Sequence, residues 1–282
     1  MTQRVALIGN PLKRRHSAVM HNAAFAAHGI DASFELRPID PEDLAPFFAE
    51  ARGGDWLGFG VTSPYKQAAM EHLDEIEAGA TAIGAVNNGV RRDDGSLVGF
   101  NTDASGFMAA VAATGLSLAG HPAVVVGAGG AARAVVWALL DGGVERVLVA
   151  NRTPERAREV AEHLSSYGNI EPAPLESRAL ATALGSAAIA VNATTMGMTT
   201  DAVPFDVAAL PETALVFDLV FVPPETPLVR AAAARGLAVC NGLEMLVRQG
   251  EVAFERWTGI GSTADIMRGA LESWIPGSDT ER

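Results

Sequence analysis

The chain of 282 residues contains one cysteine, Cys240, and only two lysines, Lys13 and Lys66, against 19 arginines. A lone thiol excludes a disulfide framework within the chain and fits a reducing, cytoplasmic setting. Long hydrophobic runs are missing as well. The first apolar stretch, Val5-Ala6-Leu7-Ile8, is too short for a signal-peptide core or a membrane span, and it reads as a strand ending at Gly9. Positive charge is in deficit, with 21 basic residues, 33 acidic ones and a formal net charge of −12. Such a balance argues against nucleic acid or an anionic membrane as partner, while leaving room for a local basic pocket that takes an anionic ligand. The six histidines show no ligand spacing, so no metal is expected. Against this scarcity the two lysines stand out as positions where an ammonium group is wanted.

What is present suits a two-domain α/β protein. Half the residues are apolar, enough for a sizeable core, and the length exceeds that of one compact unit. Short apolar strands at Val5–Ile8, Ser33–Leu36 and Leu57–Thr62 alternate with helical stretches from Ser17 to about Gly29 and from Pro41 to about Arg52, the latter with Asp40 as expected N-cap. Asp93-Asp94-Gly95 between two apolar runs predicts a hairpin, and a helix from about Thr102 to Thr114 follows. A second α/β series opens at Pro122, with strands at Ala123–Val126, Arg146–Ala150, Ala187–Asn192, Leu215–Leu219 and Leu237–Cys240. From Gly242 onward the chain reads as two helices broken near Trp257-Thr258-Gly259.

Gly127-Ala128-Gly129-Gly130-Ala131-Ala132 is a dinucleotide-binding fingerprint between an apolar strand and a helix. The chemistry needs small residues at three places: Gly127 for the tight turn, Gly129 for the approach of a pyrophosphate, and Ala132 for packing of helix on strand. The pyrophosphate then sits at the helix N-terminus, where unpaired N–H groups and the dipole favour an anion. At the end of the next strand an enzyme using NAD carries an acid for the ribose 2′-hydroxyl. This chain has Asn151-Arg152-Thr153, with Arg156 one turn on. Guanidinium groups form directed, charge-assisted bonds to phosphate, so the cofactor expected is NADP.

Thr62-Ser63-Pro64-Tyr65-Lys66 ends a strand with a hydroxyl, a proline turn and a lysine, and Asn101-Thr102-Asp103 offers a carboxylate. A lysine and an aspartate brought together in a cleft can move a proton to or from an alcohol; on residue types alone they can equally be a surface ion pair. The order and spacing of these blocks resemble the shikimate dehydrogenase family along nearly the whole chain. The resemblance runs through Gly9-Asn10-Pro11, His21-Asn22, Val61-Thr62-x-Pro64-x-Lys66, Gly84-Ala85-Val86-Asn87, Asn101-Thr102-Asp103, the glycine turn, Asn151-Arg152-Thr153, Asn192-Ala193-Thr194 and Gly242-x-x-Met245-Leu246-Val247-x-Gln249. It implies an α/β fold of two domains, a Rossmann-type NADP domain (104–239) inserted into a three-layer α/β substrate domain (1–103, completed by 240–282). Lys66 and Asp103 would be the catalytic pair. Thr62, Asn87 and Gln249 would bind the hydroxyls and ring of shikimate. Thr194, Gly242 and Met245 would lie beside the cofactor.

The chain departs from the family in the shell around the substrate. A Ser-x-Ser-Pro run that holds the substrate carboxylate is here Arg15-His16-Ser17-Ala18, so only Ser17 survives. The family's asparagine before Val-Thr is Gly60, and a tyrosine near Asp218 is Phe221. Arg15 either replaces the missing serine by a charge-assisted bond or points to solvent within Lys13-Arg14-Arg15 while the pocket fits a different acid. The expected reaction is hydride transfer between NADP and shikimate or a close analogue, by a monomer or homodimer. Quinate, aminoshikimate or another cyclic hydroxy acid is the alternative substrate, and a nucleotide-binding relative with little turnover, acting as a sensor, is the alternative of a different class.

Overall fold

A computed structural model describes residues 2–12 and 15–274, so Lys13 and Arg14 lie outside the described residues. The chain divides into two compact units, Met1–Thr102 with Val247–Arg282, and Asp103–Leu246. Each is built on its own six-stranded sheet.

In the first unit β1 (Gln3–Gly9) is followed by α1 (His16–Ala27), β2 (Ala32–Pro38), α2 (Leu44–Glu50), β3 (Trp56–Val61), β4 (Glu75–Ile76), α3 (Ala78–Ile83), β5 (Asn88–Arg91) and β6 (Leu97–Phe100). The strand order is β2-β1-β3-β5-β6-β4. β1 lies parallel to β2 and β3, whereas β5 runs antiparallel to β3 and forms the predicted hairpin with β6. Asn22 fixes α1 to the sheet by a two-way bond, its Nδ2 donating to Phe34 O and its Oδ1 accepting from Phe34 N. The single helix predicted from Pro41 is instead a 3-10 turn, Pro41–Asp43, leading into α2. Asp40 makes no side-chain cap; its carboxylate takes the Asn10 amide at 2.9 Å instead. The short β4 and α3 carry too few residues to show a period, and sequence reading passed over them.

The second unit runs through α4 (Asp103–Ala113), β7 (Pro122–Val126), α5 (Gly130–Asp141), β8 (Arg146–Asn151), α6 (Pro154–His163), β9 (Ile170–Pro174), α7 (Arg178–Leu184), β10 (Ile189–Asn192), β11 (Leu215–Asp218), α8 (Pro227–Ala234) and β12 (Ala238–Asn241). Its strand order is β12-β11-β10-β7-β8-β9, parallel throughout, with buried apolar runs typical of a sheet covered on both faces. This is the Rossmann order, and the chain reverses direction across the sheet between β7 and β10. Sequence reading missed β9 because Pro172 and Pro174 speak against a strand; β9 is an edge strand, where a missing N–H is tolerated.

The last helices are α9 (Gly242–Thr258), whose residues from Val247 onward belong to the first unit, and α10 (Ala264–Trp274). The indole of Trp257 donates from Nε1 to Gly89 O at 3.0 Å and lies against Gly58, where any Cβ would collide with the ring and with Gly89 O. That close approach seats the end of α9 against β3 and β5 and fixes where Gln249, two turns earlier, can reach.

Candidate active site

In the first unit the residues expected to hold substrate come from four separate stretches. Val61 N donates to Asn87 O and Val86 N to Lys66 O, each at 2.8 Å, so the backbones that carry Thr62, Lys66 and Asn87 are laced side by side. The Asn87 amide is only 5% exposed. Its Oδ1 accepts from Thr102 N at 2.8 Å, and its Nδ2 lies 3.1 Å from Thr102 Oγ1 and 3.4 Å from Gln249 Oε1. Thr102 Oγ1 stands 3.1 Å from Gln249 Oε1 and takes the Asn88 amide at 3.0 Å. Asn87 and Gln249 are thus brought together, through a threonine that sequence reading quoted in its motif but gave no role. The Asn87–Thr102 bond also pins the peptide that leads into Asp103, a buried carboxylate in the first turn of α4, where the helix dipole favours negative charge.

Arg15 is exposed at the start of α1 and Ser17 is half-buried one residue into it. Neither side chain makes a hydrogen bond to the Asn87 cluster among the described residues. His21 is packed rather than reactive: it stacks on Phe34 at 4.7 Å between centroids and lies 5.0 Å from the Trp257 ring. Complete burial lowers its pKa to about 3, so it is neutral at physiological pH.

In the second unit the glycine turn sits at the switch point between β7 and β10. Gly127 has φ of +122°, and a Cβ there would come within 2.7 Å of Ala193 O in the loop after β10. Gly129, the N-cap of α5, faces open space, with nothing within 4 Å of a Cβ position. Ala132 is fully buried beneath the turn. A helix N-terminus that opens on free space at Gly129 fits the pyrophosphate of a dinucleotide. At the end of β8, Asn151 Nδ2 closes the turn on Thr153 O, and the Thr153 side chain leaves the start of α6 uncapped. Arg152 and Arg156 are exposed and form no ion pair among the described residues, an arrangement suited to a phosphate monoester.

The loops after β10 and β11 are tied by a carboxylate that sequence reading mentioned only as a landmark. Asp218 Oδ1 accepts from Asn192 Nδ2 at 2.9 Å and Val220 N at 3.1 Å, and Oδ2 accepts from Thr226 Oγ1 at 2.6 Å. Burial raises the Asp218 pKa, and the three hydrogen bonds oppose that rise. Asn192 Oδ1 in turn takes the backbone N and the hydroxyl of Thr194, whose Oγ1 accepts from Met196 N. The Thr194 hydroxyl is therefore spent on its own loop. Gly242, against which a Cβ would strike Leu219 O, opens α9 beside this network, with Met245 buried one turn on. The one signal for Asp218 in sequence was an acid closing an otherwise apolar strand.

Comparison with known proteins agrees with this geometry. Residues 7–88 match the shikimate dehydrogenase substrate binding domain, 109–220 the shikimate / quinate 5-dehydrogenase family, and 242–272 the shikimate 5′-dehydrogenase C-terminal domain. The shikimate dehydrogenase (NADP(+)) of Symbiobacterium thermophilum is 40% identical over 97% of this chain and 95% of its own. The structure of the Thermus thermophilus shikimate 5-dehydrogenase in complex with NADP(H) and shikimate superposes with a TM-score of 0.85 at 39% identity, over 96% of this chain and 99% of that one. A quinate dehydrogenase from Corynebacterium glutamicum in complex with NAD gives a TM-score of 0.89 at 31% identity, over 96% and 99%.

Proposed function

The chain belongs to the shikimate dehydrogenase family, and we propose that it is a working NADP-dependent oxidoreductase that interconverts 3-dehydroshikimate and shikimate. The observation that carries this reading is the network joining Asn87, Thr102 and Gln249 beside the laced backbones of Thr62 and Lys66. The unit Met1–Thr102 with Val247–Arg282 is assigned to substrate and the unit Asp103–Leu246 to NADP, so residues 240–246 fall with the cofactor unit and not with the substrate domain expected from sequence.

Bound NADP supplies the hydride acceptor for the alcohol and the hydride donor for the ketone. Lys66 takes the hydroxyl proton as the alcohol is oxidised and returns it to the carbonyl oxygen as the ketone is reduced. Asp103 holds the lysine and a substrate hydroxyl in register. Thr62, Asn87 and Gln249 bind ring hydroxyls, and Ser17 with Arg15 takes the carboxylate. Gly127 to Ala132 cradle the pyrophosphate, Asn151, Arg152, Thr153 and Arg156 the 2′-phosphate. Thr194, Gly242 and Met245 shape the nicotinamide side.

Among the described residues no helix is long and apolar enough to cross a membrane. We place the enzyme in the cytoplasm as a monomer or homodimer, without nucleic acid as partner. The altered positions 15, 60 and 221 favour one second reading, a dehydrogenase for quinate or another cyclic hydroxy acid. NADP⁺ reduction by the purified chain, with shikimate and quinate in parallel and NAD⁺ as control, decides between them. Turnover is expected with shikimate and NADP⁺; NADP binding with turnover only on quinate would transfer the reaction to the second reading.

A further inference from the structure

Gly60 and Asn88 face each other across the antiparallel pair β3–β5. Residues directly opposite in such a pair project from the same face of the sheet, with Cβ positions about 5 Å apart. The space a side chain at 60 would enter is therefore the space beside the Asn88 amide: a Cβ on Gly60 would lie 3.5 Å from Asn88 Oδ1. Asn88 is 5% exposed. Its Nδ2 donates one hydrogen to Thr102 Oγ1 at 3.0 Å, the hydroxyl that also bonds Asn87 and Gln249. Its Oδ1 makes no hydrogen bond among the described residues. The Oδ1 atom is not among the sealed polar atoms that lack a partner, so a ligand can reach it, and a reachable carbonyl wired into this cluster has the character of a recognition group.

We infer that Asn88 is a specificity-determining residue of the substrate site, its amide supplying from β5 the polar group that position 60 lacks on β3. The loss of a side chain at Gly60 is then half of an exchange: the glycine clears the space and the neighbouring strand fills it. The substrate group addressed is a ring hydroxyl, which can donate to Oδ1 or accept the second Nδ2 hydrogen. This inference rests on the reading of the cluster as the substrate site.

The test compares Asn88→Ala, Gly60→Asn and the double variant Gly60→Asn/Asn88→Ala with the wild-type enzyme. Among the described residues the only neighbour closer than Asn88 to a Cβ at 60 is the flexible end of Leu7, at 3.0 Å, so the asparagine can be accommodated. Asn88→Ala is expected to raise KM for shikimate about tenfold, with KM for NADP⁺ and the melting temperature little changed, because a polar group of the ligand is left unpaired. The double variant is expected to recover most of that loss, while Gly60→Asn alone crowds the amide and recovers nothing. An unchanged KM for shikimate in Asn88→Ala, or equal losses in both KM values together with a lower melting temperature, would overturn the inference. If the wild-type enzyme does not turn over shikimate, the proposed reaction fails by itself. The same variants are then read by calorimetric titration of shikimate, where an unaltered dissociation constant in Asn88→Ala overturns the role of Asn88.

Discussion

On the proposed assignment the two units recognise their ligands with different materials. In the second, the groups assigned to the cofactor are mainly backbone: the turn at Gly127, the open N-terminus of α5 and the loops held by Asp218. Side chains matter there chiefly by being absent or by holding main chain. In the first, the groups assigned to the substrate are side-chain amides and hydroxyls, Asn87, Asn88, Thr102 and Gln249, joined in one network. A backbone cradle admits few alternatives, since an added Cβ at Gly127 meets Ala193 O. A side-chain network can be rewired, as proposed for Gly60 and Asn88, where an amide on one strand would replace one absent from the strand beside it. Under that proposal the difference accounts for a chain whose cofactor motifs resemble the family pattern while positions 15, 60 and 221 depart from it.

The sharpest break of the comparison lies at Lys66. Lys66→Ala is expected to lower kcat by roughly 10²–10⁴-fold, the range for a positioned acid–base group. NADP⁺ binding, which belongs to the other unit, should stay unchanged; a loss below tenfold with the fold intact removes Lys66 from the proton transfer. Gly127→Ala attacks the backbone cradle. With φ of +122° and Ala193 O at 2.7 Å, the methyl group forces the turn open. The expected result is a rise in KM of about tenfold or more for NADP⁺ and NAD⁺ alike, with KM for shikimate preserved. Arg152→Ala and Arg156→Ala test the one place where the cofactor unit is expected to use charged side chains. Each should raise KM for NADP⁺ by about tenfold through a lost charge-assisted bond. NAD⁺ should be unaffected, and an equal effect on both cofactors would show that the arginines do not read the 2′-phosphate.

The same contrast sets what was legible in the sequence. The parallel sheet, the glycine turn and the arginines after β8 announce themselves through local pattern: apolar run, glycine spacing, then a polar cluster within a few residues. The hairpin at Asp93-Asp94-Gly95 and the two C-terminal helices were legible for the same reason. The Asn87–Thr102–Gln249 network was legible only as separate motif fragments, because its bonds span up to 162 residues and no local period records them. Asn88 and Asp218 were passed over for the same physical cause. Their partners are set by strand register and by loops that cross at the switch point, which only the folded chain displays. At Asp40 local pattern misled, since a good N-cap residue found a side chain, Asn10, instead of the helix.

The mildest test concerns what supports the side-chain network. His21 is sealed between Phe34 and Trp257, and the same Trp257 indole holds Gly89 O next to Asn88. Its pKa is lowered to about 3 by burial, against 6.5 for the ordinary group. The unfolded chain therefore binds this proton more readily than the folded one. Stability from this residue is complete above about pH 6.5 and declines as pH falls below that value, by about 1.4 kcal/mol per pH unit, until the folded-state pKa near 3 is reached. His21→Phe keeps a ring against Phe34 and abolishes the titration. In urea titrations at pH 7.5 and pH 5, the wild-type chain should lose about 2 kcal/mol more than the variant between the two conditions. Equal losses in both would mean that His21 opens to solvent on protonation without strain, and that the apolar shelf beneath the network is softer than its packing indicates.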